Sequence, residues 1–328
     1  MSQVGIIGAG AWGTALALLA HRAGHTVHLL ARSESRAREI EAAHENSRLP
    51  GVGLPREITI VSNPTSLAAC DLLIVATPAQ ATRSSLKPFG KYAGPVILCA
   101  KGIEQGTGHF MTRVATEVMP YASLLVLSGP SFARDVARGL PTAVTLAARD
   151  LKLAKIWAAA LSLPEFRIYS SDDPLGVEIG GAVKNVLAIA CGIAEGKKLG
   201  DSTRAALTTR AFAELSRFGR ALGAHAETLT GLSGLGDLLL TCASRQSRNF
   251  SFGVALGEGA SVTDAMLKAG GTVEGASTAA VVARIAREQN IDMPISLAVD
   301  AIIAQTSTCD AEIARLLARP VKPELHRG

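Results

Sequence analysis

Aromatic residues are scarce: eight Phe, three Tyr and two Trp make up 4% of the 328 residues. Such a chain has no platform for stacking bases, and its Lys and Arg residues are dispersed rather than gathered into a basic tract. Nucleic acid is therefore not an expected partner, despite a formal net charge of +5. A small anionic substrate with a phosphorylated cofactor accounts for that excess equally well. Long apolar runs are also missing. No stretch of about 18 residues escapes polar interruption, so stable membrane insertion is not expected. The opening Met1-Ser2-Gln3-Val4 lacks the basic region of a secretory leader. Cysteine occurs only at Cys70, Cys99, Cys191, Cys242 and Cys309, an odd count without Cys-x-x-Cys spacing. Buried free thiols in a reducing cytoplasm are the simplest reading. The seven histidines form no spaced ligand set, and no metal is expected.

What is present is an ordinary globular balance, 48% hydrophobic and 19% charged, over a length that suits two cores. Short apolar runs at 4–7, 26–31, 58–61, 72–76, 96–100, 124–127 and 143–147 read as strands, with helix-length segments such as 12–23 between several of them. Continuous apolar strands alternating with helices predict a mostly parallel, doubly wound sheet covered on both faces. After 166–169 the period changes. Segment 180–199 reads as one long, nearly all-apolar helix, with further helices at 203–222, 254–256, 263–268, 275–289 and 295–305. The expected fold is an α/β N-terminal unit, 1–172, followed by an all-α C-terminal unit, 173–328.

Gly8-Ala9-Gly10-Ala11-Trp12-Gly13 is a G-x-G-x-x-G that follows a strand, opens an Ala/Leu-rich helix and leads to a second strand. In that setting it predicts dinucleotide binding, with Gly8 for the turn, Gly10 for backbone approach to the pyrophosphate and Gly13 for helix–strand packing. The second strand ends in Ala31-Arg32-Ser33, with Arg36 one turn further on, where an NAD site commonly has an acidic residue. A cation and a hydroxyl suit a 2′-phosphate, so NADP(H) is the preferred cofactor and NAD(H) a possible one.

Two lysines stand in unusual places. Lys101 follows an apolar strand, at the end where open α/β sheets bind ligands, although a solvated loop lysine reads the same way. Lys184 lies with Asn185 inside an apolar helix, where an unpaired ammonium is costly. Either it snorkels to water, or it lines a cleft as an acid/base group of lowered pKa. Asp237, after a Gly-rich segment, reads as an N-cap or as a functional carboxylate. Ser247-Arg248-Asn249 reads as a phosphate fork or as plain surface.

Taken in order, GAGAWGTALA (8–17), AKGIE (100–104), LSGPSFA (127–133), GLPTAV (139–144), GVEIGGAVKNVLAIACGI (176–193), GLSGLGDLLLTC (231–242), SRNFSFG (247–253) and VEG (273–275) resemble the bacterial NAD(P)-dependent glycerol-3-phosphate dehydrogenase family. The resemblance implies a cytoplasmic homodimer. It also implies reversible reduction of dihydroxyacetone phosphate to sn-glycerol 3-phosphate, which supplies phospholipid synthesis. It assigns Lys184 as catalytic acid/base and Lys101 as a contact to both substrate and cofactor. Gly129, Ser131, Asn185, Asp237, Thr241, Ser247, Arg248 and Asn249 fall in the substrate pocket. Ala11, Trp12, Ala133, Arg248, Thr272 and Glu274 fall along the cofactor. Members often carry Ser at 11 and Val at 272, so Ala11 and Thr272 are departures. A related β-hydroxyacid dehydrogenase and a non-catalytic NADP(H) sensor are the competing readings.

Overall fold

Residues 1–321 are described by the computed structural model; residues 322–328, assigned by sequence to the C-terminal unit, lie outside the described residues. Short apolar segments form strands β1 (Gln3–Ile7), β2 (Thr26–Leu30), β3 (Thr59–Val61), β4 (Leu72–Val75), β5 (Pro95–Leu98), β6 (Ser123–Ser128), β7 (Thr142–Ala147) and β8 (Phe166–Ser171). They make one sheet in the order β3-β2-β1-β4-β5-β6-β7-β8. The first six strands are all parallel and follow the order of a dinucleotide-binding sheet. β7 then pairs antiparallel with β6, and β8 parallel with β7, so the mostly parallel sheet contains one reversal. Helices α1 (Ala11–Arg22), α2 (Glu34–Ala43), α3 (Ala79–Leu86), α4 (Met111–Val118), α5 (Ala133–Ala137) and α6 (Leu151–Leu161) lie between the strands. β4 is buried along its whole length, as strands covered on both faces must be. The loops that matter most leave the carboxyl ends of β1, β2, β5 and β6, along one edge of the sheet.

Every described element after β8 is helical: α7 (Pro174–Gly196), α8 (Asp201–Ala221), α9 (Ala226–Thr230), α10 (Asp237–Cys242), α11 (Arg248–Gly257), α12 (Val262–Lys268), α13 (Glu274–Glu288), α14 (Pro294–Ile303) and α15 (Cys309–Leu317). α7 begins at Pro174 rather than at 180, because Asp173 caps it: Oδ1 accepts from the Gly176 N–H at 2.8 Å, and Pro174 fills the first turn. It is long and apolar enough to cross a membrane, yet its apolar window is 100% buried within the protein. α11 crosses α7 with the two backbones nearly touching. A Cβ on Gly192 would lie 2.1 Å from the Phe250 carbonyl oxygen, and one on Gly253 would lie 2.1 Å from that of Ile189. Glycine at both positions lets α11 bring its amino end to the level of Lys184 and Asn185. Four of the five cysteines are buried free thiols, and Cys309 is half-buried.

Candidate active site

Lys101 leaves the carboxyl end of β5 and Lys184 projects from α7, and the two converge on one carboxylate. Lys184 Nζ donates to Asp237 Oδ1 at 2.7 Å and to Thr241 Oγ1 at 2.7 Å. Lys101 Nζ donates to Asp237 Oδ2 at 2.7 Å and to the Gly129 carbonyl at 3.0 Å. The side chains of Asp237, Lys184 and Lys101 are 1%, 8% and 17% exposed, so the cluster opens towards solvent on its Lys101 side. Burial lowers the Lys184 ammonium to about 8; Asp237 pulls it upward and Lys101 pushes it down. Burial alone would raise the Asp237 carboxyl, but the two ammoniums outweigh it and hold it below its usual value. Asp237 is therefore no simple helix cap. It is the first residue of α10, preceded by a π-helical turn over Leu232–Gly236, and both its oxygens face lysines.

Asn185 and Asn249 form a bridge beside this cluster. The Gly275 N–H donates to Asn249 Oδ1 at 2.9 Å, Asn249 Nδ2 to Asn185 Oδ1 at 2.9 Å, and Asn185 Nδ2 to the Lys101 carbonyl at 2.8 Å. Each amide nitrogen keeps a second N–H. Ser247 caps α11, its Oγ accepting from the Phe250 N–H at 3.2 Å, and Arg248 stands exposed at the first turn against Gly271. Ser131 Oγ donates to the Gly129 carbonyl at 3.2 Å, and Ala133 opens α5. Glu274 accepts from the Ala79 N–H at 2.8 Å and the Lys101 N–H at 3.3 Å, so both oxygens hold sheet-side backbone; Thr272 is exposed nearby. Sequence reasoning passed over Glu178. It is buried in α7 and accepts from the Thr112 N–H and Oγ1, each at 2.7 Å, and burial pushes its carboxyl up to about 7. The signal was available, since Glu178 is a charge in an apolar helix just as Lys184 is.

On the cofactor side, Gly8 has φ 108° and a Cβ on Gly13 would lie 1.9 Å from the Gly8 carbonyl oxygen, so no side chain fits there. A Cβ on Gly10 would meet nothing within 4 Å, which leaves open space above the amino end of α1. That space and the uncapped N–H groups beneath it fit a pyrophosphate. Ala11 and Trp12 are half-buried in the first turn. Arg32 is exposed where β2 ends. Its expected companions are otherwise engaged: Ser33 Oγ caps α2 by accepting from the Arg36 N–H at 3.3 Å, and the Arg36 guanidinium turns to Glu39, Ser47 and Asn46. Among the described residues no group of three or more His, Cys, Asp or Glu is placed to hold a metal ion.

A buried lysine–carboxylate cluster beside the edge that carries a G-x-G-x-x-G loop is an arrangement suited to a nicotinamide-dependent dehydrogenase with a helical C-terminal half. The chain belongs to the NAD-dependent glycerol-3-phosphate dehydrogenase family, whose N-terminal model matches residues 3–154 and whose C-terminal model matches residues 173–314. It is 54% identical to a glycerol-3-phosphate dehydrogenase, NAD(P)+, of Bradyrhizobium diazoefficiens, over 98% of both chains. A crystal structure of glycerol-3-phosphate dehydrogenase from Coxiella burnetii superposes with a TM-score of 0.92 at 37% identity, covering 97% of this chain and 99% of that one. A ketopantoate reductase from Ralstonia eutropha shares the fold, with a TM-score of 0.60 at 17% identity over 95% of this chain and 99% of that one.

Proposed function

We propose that this chain interconverts dihydroxyacetone phosphate and sn-glycerol 3-phosphate, with NADP(H) preferred over NAD(H). The observation that carries this reading is Lys184, buried in α7, paired with Asp237 and brought to a pKa of about 8. Bound nicotinamide supplies or accepts the hydride exchanged at C2 of the substrate. Lys184 handles the proton at the neighbouring oxygen, giving it in reduction and taking it back in oxidation. Lys101 adds positive potential beside that oxygen, and Asp237 holds both lysines in place. Arg248 at the amino end of α11, with the spare N–H of Asn249, binds the phosphate, and Ser131, Thr241 and Ser247 line the same pocket. Holding the non-reacting phosphate orients C2 and lets binding there assist the chemistry. Ala133, Thr272 and Glu274 contact or border the nucleotide. The division between the two units falls near residue 172, between β8 and α7. Family membership supports a cytoplasmic homodimer that feeds phospholipid synthesis.

Oxidation of glycerol 3-phosphate needs the neutral amine, so its kcat/KM should rise with pH through about 8, where Lys184 loses its proton. Reduction needs the ammonium and should fall over the same range. Initial rates in both directions between about pH 6.5 and 9.5 test this; an oxidation profile flat through pH 8 would remove Lys184 from the proton path.

The function itself is tested by absorbance at the nicotinamide band, with dihydroxyacetone phosphate and either NADPH or NADH. Rapid consumption of NADPH, slower for NADH, is the expected result. Folded protein that binds NADPH yet oxidises neither cofactor would count against this substrate. Arg32→Asp should lower the NADPH/NADH ratio of kcat/KM by about tenfold or more, since it replaces a charge-assisted contact with repulsion. An unchanged ratio would take Arg32 out of the preference.

A further inference from the structure

We infer that Asn46 is a positioning residue for the cofactor: it fixes the peptide between Ala9 and Gly10 so that the Gly10 N–H is presented to the pyrophosphate. The inference rests on the dinucleotide reading of the glycine loop. Asn46 follows α2, far from that loop in sequence, and is 0% exposed. A fully buried primary amide persists only where its polar atoms are bonded, and here all are. Nδ2 donates to the Ala9 carbonyl at 3.1 Å and to Thr14 Oγ1 at 2.7 Å. Oδ1 accepts from the Arg48 N–H at 3.0 Å and from the Arg36 guanidinium. Two donors and two lone pairs are thereby used in full.

The consequence for the loop follows from peptide planarity. In a trans peptide the N–H points opposite to the C=O, so drawing the Ala9 carbonyl onto Asn46 turns the Gly10 N–H away from it. Among the described residues that N–H has no backbone acceptor. The next carbonyl is held from below as well: Gly10 O accepts from the Thr14 hydroxyl at 2.8 Å and from the Thr14 N–H at 3.0 Å. Thr14 Oγ1 thus sits between Asn46 and Gly10 and passes the constraint on. The other side of the amide reaches α2 through Arg36, which also bonds Glu39 Oε1 at 2.6 Å and Ser47 Oγ at 2.9 Å. α2 begins just past Arg32. Asn46 therefore ties the pyrophosphate loop to the helix that starts at the ribose end of the same site. The glycines permit the loop's shape; Asn46 selects one orientation of it.

Asn46→Asp separates this role from simple packing. It keeps the size and the acceptor for Arg36 and Arg48, but loses both donors and sets an oxygen against the Ala9 carbonyl. Steady-state kinetics should show KM rising about tenfold or more for both NADPH and NADH. The kcat at saturating nucleotide and the KM for dihydroxyacetone phosphate should stay within about twofold. Thr14→Val removes the shared hydroxyl and should shift the nucleotide KM in the same direction by a smaller factor; it carries the test if the aspartate variant does not fold. A residue that only supports the fold would lower the melting temperature and leave KM alone. A folded variant with wild-type nucleotide KM, or with kcat lost and nucleotide KM unchanged, overturns the inference. Wild-type protein that binds neither NADPH nor NADH overturns instead the dinucleotide reading beneath it.

Discussion

Lys184→Ala should lower turnover by on the order of a thousandfold and leave nucleotide affinity close to that of the wild type. The truncation removes the group that carries the proton and little else of the cluster. Asp237 keeps Lys101 at 2.7 Å and the Thr241 hydroxyl at 3.2 Å, so the buried carboxylate is not left unpaired. A missing buried ammonium also relieves a desolvation penalty, which argues against a large loss of fold. Measuring kcat by absorbance and NADPH binding by fluorescence separates the two effects. Added methylamine should restore part of the rate, since a small amine can occupy the vacated space and exchange the proton. Retention of most of the wild-type turnover would defeat the assignment of Lys184, and a parallel loss of NADPH binding would recast it as structural.

The features legible in the sequence are those whose causes are local. β1, the glycine loop, α1 and β2 match their expected bounds to within about two residues, the usual margin at element ends. An apolar run, a Gly turn and an Ala/Leu helix are all short-range signals. Lys184 stood out because a charge in an apolar helix is anomalous wherever its partner lies. Its partner could not be read. Asp237 is 53 residues from Lys184 and 136 from Lys101, and a lone Asp before an apolar run reads equally well as a cap. α11 shows the opposite failure. Only 254–256 read as helical, because Gly253 and Gly257 and the polar SRN segment depress local helix propensity. The same glycines are required by the close crossing with α7, a tertiary demand that overrides propensity. Arg36 lies one turn past Arg32 in sequence, but its guanidinium turns inward to the buried Asn46, a direction that no local pattern shows. The short helix Cys309–Leu317 and the reversal at β7 depend on packing that no window of sequence displays.

Asp237→Asn should be the more destabilising change and nearly as damaging to turnover. Asparagine keeps the shape and loses the charge, leaving two ammoniums, one of them only 8% exposed, without their common anion. Removing one partner of a buried ion pair costs roughly 3–5 kcal/mol, because the remaining charge is left uncompensated. The pH dependence follows from the directions already given. Asp237 pulls the Lys184 proton affinity upward against burial, so without it the amine should fall below its present value of about 8. Below that new, lower pKa, Lys184 is protonated in both native proteins, and the variant bears the full penalty of the lost anion on this group. Above about pH 8 the amine is neutral in both, and that part of the deficit disappears. Melting temperatures at about pH 6.5 and pH 9 should therefore show a gap that narrows at the higher pH. A gap of constant size would mean that the carboxylate is not felt through Lys184. The same shift predicts a displaced pH profile. In Asp237→Asn the rise of glycerol 3-phosphate oxidation with pH should begin below the value of about 8 set by Lys184 in the wild type, a displacement that general loosening of the fold would not produce.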